Sequence, residues 1–326
     1  LQAGIGFVGA GGFASGVLLP HLKNISTMRK VSIMSGSGVS ASTGAESFGF
    51  ERTASSYNQM LIDNNISALF IANRHNQHAE FVLKALKAKK PVFVEKPLCL
   101  NASELSKLVA EYNKTPTPVM VGFNRRFAPL IQRMKTALEE NKCPLSIHYR
   151  INAGFIPSNN WVQDKECGGG RIIGEICHFV DLLSYLTSAA PIKVTAESLA
   201  MSDETYRSDD NLQIMLRFSD GSVGTINYIA SGNKLMPKEY LEVFGGGMAM
   251  RMDDFTSLTI ACKNGIKMDK VKSQDKGHYG MLQQWADCLI SGSASPIPFA
   301  EIVKTTQTTF DIISSLEKGA AIWTER

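Results

Sequence analysis

Residues Gly9-Ala10-Gly11-Gly12-Phe13-Ala14 constrain what this chain can fold into more than any other stretch. They fit G-x-G-x-x-[G/A], the turn between the first strand and first helix of a dinucleotide-binding βαβ unit. The flanks agree: Gly4-Ile5-Gly6-Phe7-Val8 reads as a short apolar strand, and Val17, Leu18, His21 and Leu22 follow at helical spacing. Gly9 allows a tight exit from the strand, Gly11 lets the backbone approach a pyrophosphate, and Ala14 lets helix and strand pack closely. Gly12 and Phe13 complete the turn, and the unpaired N–H groups of the helix N-terminus favour an anion there. Glycine-rich turns also follow strands in proteins without a cofactor, so the reading depends on what the rest of the chain adds.

A second strand at 31–34 runs into Ser35-Gly36-Ser37-Gly38, the position that selects the nucleotide. NAD enzymes commonly place Asp or Glu there, about 20 residues past the glycines, to hold the ribose 2′-hydroxyl. Neither is present. Ser35, Gly36 and Ser37 leave room for a 2′-phosphate, and Arg29, Lys30 or Arg52 would supply charge from a distance, a slight lean from NAD towards NADP. Strands at 68–71, 92–94 and 119–121 alternate with helices, the first over 77–88 with Ala79, Val82 and Leu86 along its apolar stripe. This alternation predicts an α/β domain over residues 1–122 with a doubly wound Rossmann sheet. Beyond Gly122 the period changes to two. Leu212, Ile214, Leu216 and Phe218 face one way, Asp220-Gly221 turns the chain, and a partner strand covers 223–229. Further strands over 193–201, 240–251 and 257–261, and a closing helix over 304–316, predict an α+β domain over 123–326 with a mostly antiparallel open sheet.

Composition narrows the function. The 326 residues are 44% hydrophobic and 20% charged, which suits two domains with large cores. The net charge of +4 comes without any run of five basic residues, so nothing asks for nucleic acid, while a slightly basic surface suits an anionic ligand. No stretch approaches the roughly 18 apolar residues of a membrane helix and no signal peptide opens the chain, which predicts a cytoplasmic protein without a membrane partner. The six cysteines lack C-x-x-C pairs, so reduced thiols are expected and no metal, although Cys167, Cys177 and His178 could be assembled into a metal site on paper. The opening without methionine is expected of a piece cut from a longer chain.

The strand at 92–94 ends in Glu95-Lys96-Pro97, at the sheet edge where such folds bind ligands. With the GAGGFA turn, the segments HAEFVLKALKAKKPVFVEKP and VGFNRRF resemble the Gfo/Idh/MocA family, named for glucose–fructose oxidoreductase and inositol dehydrogenase. GGGRIIGEICHFVDLLSYL and MPKEYLEVFG carry the resemblance through the second domain. NRHNQHAE, EICHFVD and SGSGVSA are further similar to a variant of the family fused behind a zinc-type alcohol dehydrogenase module, which fits the missing methionine.

The resemblance implies that Lys96 is the active-site lysine, with the Lys96–Pro97 bond cis. Beside a nicotinamide, its ammonium would hydrogen-bond the reacting oxygen and stabilise a developing alkoxide. His178 is implied as the proton-transfer group, since an imidazole titrates near working pH. Gly168-Gly169-Gly170 before its helix let that backbone come near the cofactor. The pattern departs at the next position: members carry Asp four residues before this histidine, where this chain has Gly174, with Glu175 one place later. Glu175 either orients His178 or binds a substrate hydroxyl from the same helix face, or forms a structural salt bridge. Asp181 is a weaker candidate of the same kind.

Asn73, Arg74, His78, Glu95 and Lys96 are expected at the dinucleotide, with His75 and His78 shaping their loop rather than moving protons. Of Arg125 and Arg126, one would brace the domain junction and the other face the substrate. Tyr149, Arg150, Asn152, Trp161, Arg171 and Lys238 complete the pool of substrate candidates, Trp161 either stacking on a sugar face or filling core.

These residues predict an NAD(P)-dependent oxidoreductase for a secondary alcohol or ketone of a sugar, cyclitol or nucleotide-sugar. One alternative uses transient oxidation to drive elimination or glycoside hydrolysis without net NADH. Another, prompted by Gly174 and Glu175, is a non-catalytic NAD(P)-binding sensor or scaffold. Fold-level analogy does not choose among them. The open face of the second sheet needs a cover, which predicts a homodimer or tetramer.

Overall fold

The computed structural model of the chain describes residues 1–36, 38–139, 143–201 and 205–324. Ser37, one of the expected cofactor residues, lies outside them. The chain forms two compact units: Leu1–Phe123 with Glu166–Gly168 and His278–Val303, and Asn124–Lys165 with Gly169–Gly277 and Lys304–Arg326.

In the first unit β1 (Ala3–Val8), β2 (Met28–Met34), β3 (Arg52–Thr53), β4 (Ala68–Ile71), β5 (Val92–Val94) and β6 (Val119–Val121) pair in parallel. Their order is β3-β2-β1-β4-β5-β6, the doubly wound arrangement that reverses between β1 and β4. Helices α1 (Leu19–Lys23), α2 (Gly38–Phe48), α3 (Tyr57–Ile62), α4 (His75–Lys87) and α5 (Ala102–Lys114) follow successive strands. Every residue of β4 and β5 is buried, as expected of parallel strands covered on both faces. Phe7, Phe70 and Phe93 are neighbours in register, and their rings stack at 5.9 and 5.1 Å across three strands.

The helical pattern after the glycine turn opens as a π-turn over Ala14–Leu18, closed by the Leu19 N–H on Ala14 O, before α1 begins. Pro20 explains this. It has no N–H to continue the ladder, and its ring crowds the carbonyl four residues back, which the wider turn relieves.

The second unit holds α6 (Pro129–Glu139), β7 (Ser146–Asn152), α7 (Cys177–Thr187), β8 (Pro191–Ser198), β9 (Asn211–Phe218), β10 (Val223–Ile229), β11 (Glu239–Gly245), β12 (Met248–Asp253), β13 (Ser257–Cys262), β14 (Gly265–Lys270) and β15 (Ile322–Trp323). Its sheet runs β14-β13-β12-β11-β7-β10-β9-β8-β15, antiparallel except where β7 meets β10. Ile147, Tyr149, Leu216, Ile226, Tyr228 and Val243 on one sheet face pack with Leu130 and Met134 of α6 and Phe179 and Leu183 of α7. On the alternate positions Met215 and Phe244 remain 47% and 41% exposed.

Period-two alternation predicts one strand over 240–251; the structure divides it into β11 and β12. Gly246 and Gly247 both have positive φ, 58° and 75°, and close the two-residue hairpin that glycine pairs favour. A single cut at 122/123 is also replaced. The helix α8 (His278–Ser291) belongs to the first unit, where Met281, Leu282 and Trp285 are fully buried beside α1. The last helix, α9 (Phe299–Lys318), extends the expected closing helix at both ends. No helix among the described residues is long and apolar enough to cross a membrane.

Candidate functional site

Because the strands of the first unit are parallel, the loops after β1, β2, β4, β5 and β6 share one edge of its sheet. Gly9, at φ 100°, has no alternative there: a Cβ would lie 2.5 Å from Ala72 O. Nothing lies within 4 Å of where Gly11 or Gly12 would carry a side chain, so the turn leaves open space beside its backbone. Ala14 is buried against the sheet, and Phe13 stays half exposed with its ring edge-on to His278 at 6.1 Å.

At the end of β5, Glu95 is 7% exposed. The Lys96 N–H donates to its Oε2 at 3.3 Å, whereas Oε1 is buried without a hydrogen-bond partner. The absence of a side chain at Gly122 makes room for it, since a Cβ there would stand 2.6 Å from the carboxyl group. Burial pushes the Glu95 carboxyl up to about 7, with the Lys96 charge opposing. At the end of β4, the Asn73 amide donates to Gln77 Oε1 at 2.9 Å, and Asn73 Oδ1 is a second buried acceptor without a donor. Arg74 is exposed and Lys96 half-buried.

His75 and His78 lie on the first turn of α4. His75 Nδ1 is 2.8 Å from Gly168 O, and His78 Nδ1 is 2.7 Å from Pro97 O. Burial, with the nearby Lys96 charge, holds His75 at about 3; burial holds His78 at about 4, against the pull of its carbonyl partners. Both rings are therefore neutral near pH 7. His78 is 0% exposed and cannot touch a dinucleotide, which corrects its placement among the cofactor residues.

The selectivity loop also differs from expectation. Ser35 and Gly36 follow β2 at the ligand edge, but Arg29 hydrogen-bonds Glu51 and Asn65, and Arg52 pairs with Asp63 and Glu51. Arg29 and Lys30 belong to the opposite, amino end of β2, so neither arginine nor Lys30 supplies charge to the loop at Ser35.

In the second unit a π-turn over Ile172–Ile176 precedes α7, and Glu175 sits within it while His178 is the second residue of α7. The wider turn breaks the simple three-residue spacing of one helix face. Glu175 Oε2 accepts from Arg171 Nε and Nη2 at 3.0 and 2.8 Å and from the Tyr228 hydroxyl at 2.6 Å; Oε1 accepts from Lys238 Nζ at 2.7 Å. Burial alone would raise this carboxyl, but Lys238 and Arg171 outweigh it and hold Glu175 far below the usual carboxylate range. A group so firmly ionised does not exchange protons near neutrality, and its contacts make Glu175 the hub of a charge network, the salt-bridge alternative expected for it. Arg171 is consumed by that network and by Gly154 O at 3.1 Å, rather than facing a substrate. Lys238 keeps 35% of its side chain exposed.

Arg125 grips Glu239 through two hydrogen bonds at 2.8 and 2.9 Å, joined by Tyr149 and by Lys276 at 3.0 Å. Arg126 grips Asp181 at 3.0 and 2.6 Å. All of these but Lys276 are buried, so both arginines brace the unit, and neither they nor Tyr149 can meet a substrate. Arg150 donates to Pro237 O at 2.7 Å and lies over the Tyr240 ring; Asn152 ties down Asn233 and Met236. Trp161 is half-buried in the segment before Gly169. Sequence reasoning missed Tyr228 and Glu239. Tyr228 carried a signal, an inward period-two position, whereas Glu239 looks like any charge beside a strand. Among the cysteines, Cys99, Cys177 and Cys288 are buried.

A parallel dinucleotide-type sheet with an anion-ready turn in one unit, with an antiparallel sheet in the other, is the make-up of nicotinamide-dependent oxidoreductases with a Rossmann fold. The chain belongs to the Gfo/Idh/MocA oxidoreductase family: the model of its NAD-binding Rossmann fold matches residues 3–123, and that of its C-terminal domain matches residues 131–247. The chain is 27% identical over 310 residues to the uncharacterized oxidoreductase YrbE of Bacillus subtilis, covering 93% of this chain and 87% of that protein. It is 28% identical over 185 residues to the myo-inositol 2-dehydrogenase of Thermotoga maritima, a match spanning 56% of this chain and 55% of the relative. A levoglucosan dehydrogenase solved with NADH and levoglucosan superposes with a TM-score of 0.89 over 100% of both chains at 18% identity, which shows a shared fold.

Proposed function

We propose that this oxidoreductase moves hydride between NAD(P) and a secondary alcohol or ketone of a sugar, cyclitol or nucleotide-sugar. The observation that carries this reading is the ligand edge of the first unit, where open space at Gly11 and Gly12 and the unmet acceptors Glu95 Oε1 and Asn73 Oδ1 flank Lys96. A nicotinamide nucleotide fits that edge. Its phosphates suit the N–H groups of the turn, and its amide and hydroxyl donors suit the two acceptors. When bound, it supplies the hydride acceptor or donor. Lys96 Nζ donates a hydrogen bond to the reacting oxygen and stabilises negative charge there. His178 accepts the hydroxyl proton at a ring nitrogen and returns it in reduction. Glu175 stays ionised and holds the ammonium of Lys238, whose partly exposed side chain is suited to a polyol hydroxyl.

The nucleotide preference is narrow. No carboxylate stands at Ser35 to hold a 2′-hydroxyl, and Arg29 and Arg52 are engaged elsewhere, so NAD and NADP bind within about tenfold of each other. The sheet face carrying Met215 and Phe244 supports self-association as a dimer or tetramer, which light scattering reads directly.

The test is a titration with NADH and with NADPH followed by nicotinamide fluorescence, then turnover with myo-inositol, levoglucosan and a panel of keto-sugars. Binding with turnover is expected. Binding without turnover on a broad panel would favour the sensor reading, and no binding of either nucleotide would remove the basis for Lys96 as a catalytic residue.

A further inference from the structure

His78 is fully buried on the first turn of α4, yet its ring reaches the ends of two strands. Nδ1 lies 2.7 Å from Pro97 O and Nε2 lies 3.3 Å from Asn73 O. A carbonyl only accepts, and a neutral imidazole has a single N–H, so the shorter contact fixes that proton on Nδ1, directed at Pro97 O. From the other side, the Lys96 N–H is drawn to Glu95 Oε2. The side chain of Lys96 therefore leaves a backbone pinned at and after its own residue.

We propose that His78 is a positioning residue for hydride transfer: its Nδ1–H, held on Pro97 O, fixes the backbone around Lys96 and so aims the ammonium group. This rests on the catalytic role of Lys96 given above. Burial keeps the ring neutral, near 4, so the tether is unchanged across the working pH range.

Two amide variants test the tether. In His78→Asn the side-chain NH2 stands close to the Nδ1 position, and in His78→Gln it stands close to the Nε2 position, facing Asn73 instead. With the best substrate from the panel, His78→Gln is expected to lower kcat by about a hundredfold. KM and the Kd for NADH stay within about threefold, and His78→Asn recovers kcat to within about tenfold of the parent. Amide exchange over residues 95–98 of the cofactor-free protein should be faster in the Gln variant than in the Asn variant, a readout independent of turnover.

Equal behaviour of the two variants in both measurements overturns the proposal, as does a loss of NADH affinity that matches the loss of kcat. If Lys96→Met turns over like the parent, the reading of Lys96 and this proposal both fall. If Lys96→Met is inactive while His78→Gln is unimpaired, the positioning role alone falls. Should no panel substrate react, the exchange comparison decides.

Discussion

The ligand edge of the first unit and the charge networks of the second treat their polar side chains in opposite ways. At the ligand edge of the first, Glu95 Oε1 and Asn73 Oδ1 are buried acceptors without donors, and the turn at Gly11 and Gly12 stands beside open space. In the second, Arg125, Arg126, Arg171, Glu175, Asp181 and Glu239 bond one another or the backbone. A buried acceptor left unmet costs about 1–3 kcal/mol, so it is best explained where a ligand will meet it. A satisfied ion pair is scaffold, however suggestive its residue types look in sequence. Between these two sets of residues, unmet polarity more than charge marks the ones suited to a ligand.

The largest effect that probes this contrast is at Lys96. Lys96→Met should lower kcat by about a thousandfold, about 4 kcal/mol of barrier, while the Kd for NADH changes by less than about threefold. Steady-state kinetics with fluorescence titration reads both, and a variant that loses affinity as steeply as turnover would make Lys96 a binding group instead. In the second unit the loss should appear in stability. Arg125→Ala leaves the Glu239 carboxylate buried with Lys276 and Tyr149 but without its bidentate partner, at a cost of about 3 kcal/mol in urea unfolding. An unchanged midpoint would mean that the network is not scaffold.

The same contrast sets opposite pH dependences. Glu95 has a folded value of about 7, above the roughly 4.3 of an unfolded glutamate. The unfolded chain therefore releases this proton first, so stability falls as pH rises between those two values, and the penalty is complete above the folded one. Glu175 and Glu239 are depressed in the folded state, so their contribution is present above the unfolded value and is lost as pH falls through the folded values. Between about pH 5 and about pH 8, wild-type protein should lose about 2 kcal/mol more stability than Glu95→Gln, which cannot ionise. Equal losses in urea unfolding would show that Glu95 carries no such penalty and that the ligand edge is no less satisfied than the second unit.

How much of this was legible depended on how local its cause was. The glycine turn, the strands 68–71, 92–94 and 119–121, and the hairpin around Asp220-Gly221 follow from short-range sterics and periodicity, and they stand where the sequence puts them. The π-turn before α1 was written in Pro20, and the division of 240–251 in Gly246-Gly247, although each needs the turn chemistry to be weighed above hydrophobic periodicity. The charge networks were not legible. Arg125 meets Glu239 across 114 positions and Lys238 meets Glu175 across 63, partners that no local pattern names. His78 misled for the same reason: its partner is a carbonyl, and carbonyls have no letter in a sequence.

The smallest predicted effect asks whether the satisfied and unsatisfied regions differ even in nucleotide choice. Among the described residues, the ligand edge at Ser35 offers neither a carboxylate for a 2′-hydroxyl nor an arginine for a 2′-phosphate, since Arg29 and Arg52 are bound to Glu51 and Asp63. Ser35→Asp supplies the missing acceptor and a repulsive charge together, so NADH should bind a few-fold more tightly and NADPH about tenfold more weakly, near 1.4 kcal/mol. Removing the Asp63 charge from Arg52, through Asp63→Asn, should leave the preference unchanged, because Glu51 still pairs with Arg52 and Asp63 precedes β4, at the opposite, amino edge of the sheet. If Asp63→Asn tightened NADPH binding, Arg52 would be within reach of the nucleotide after all, and the first unit would hold its selectivity charge in reserve inside an ion pair, as the second unit holds its own.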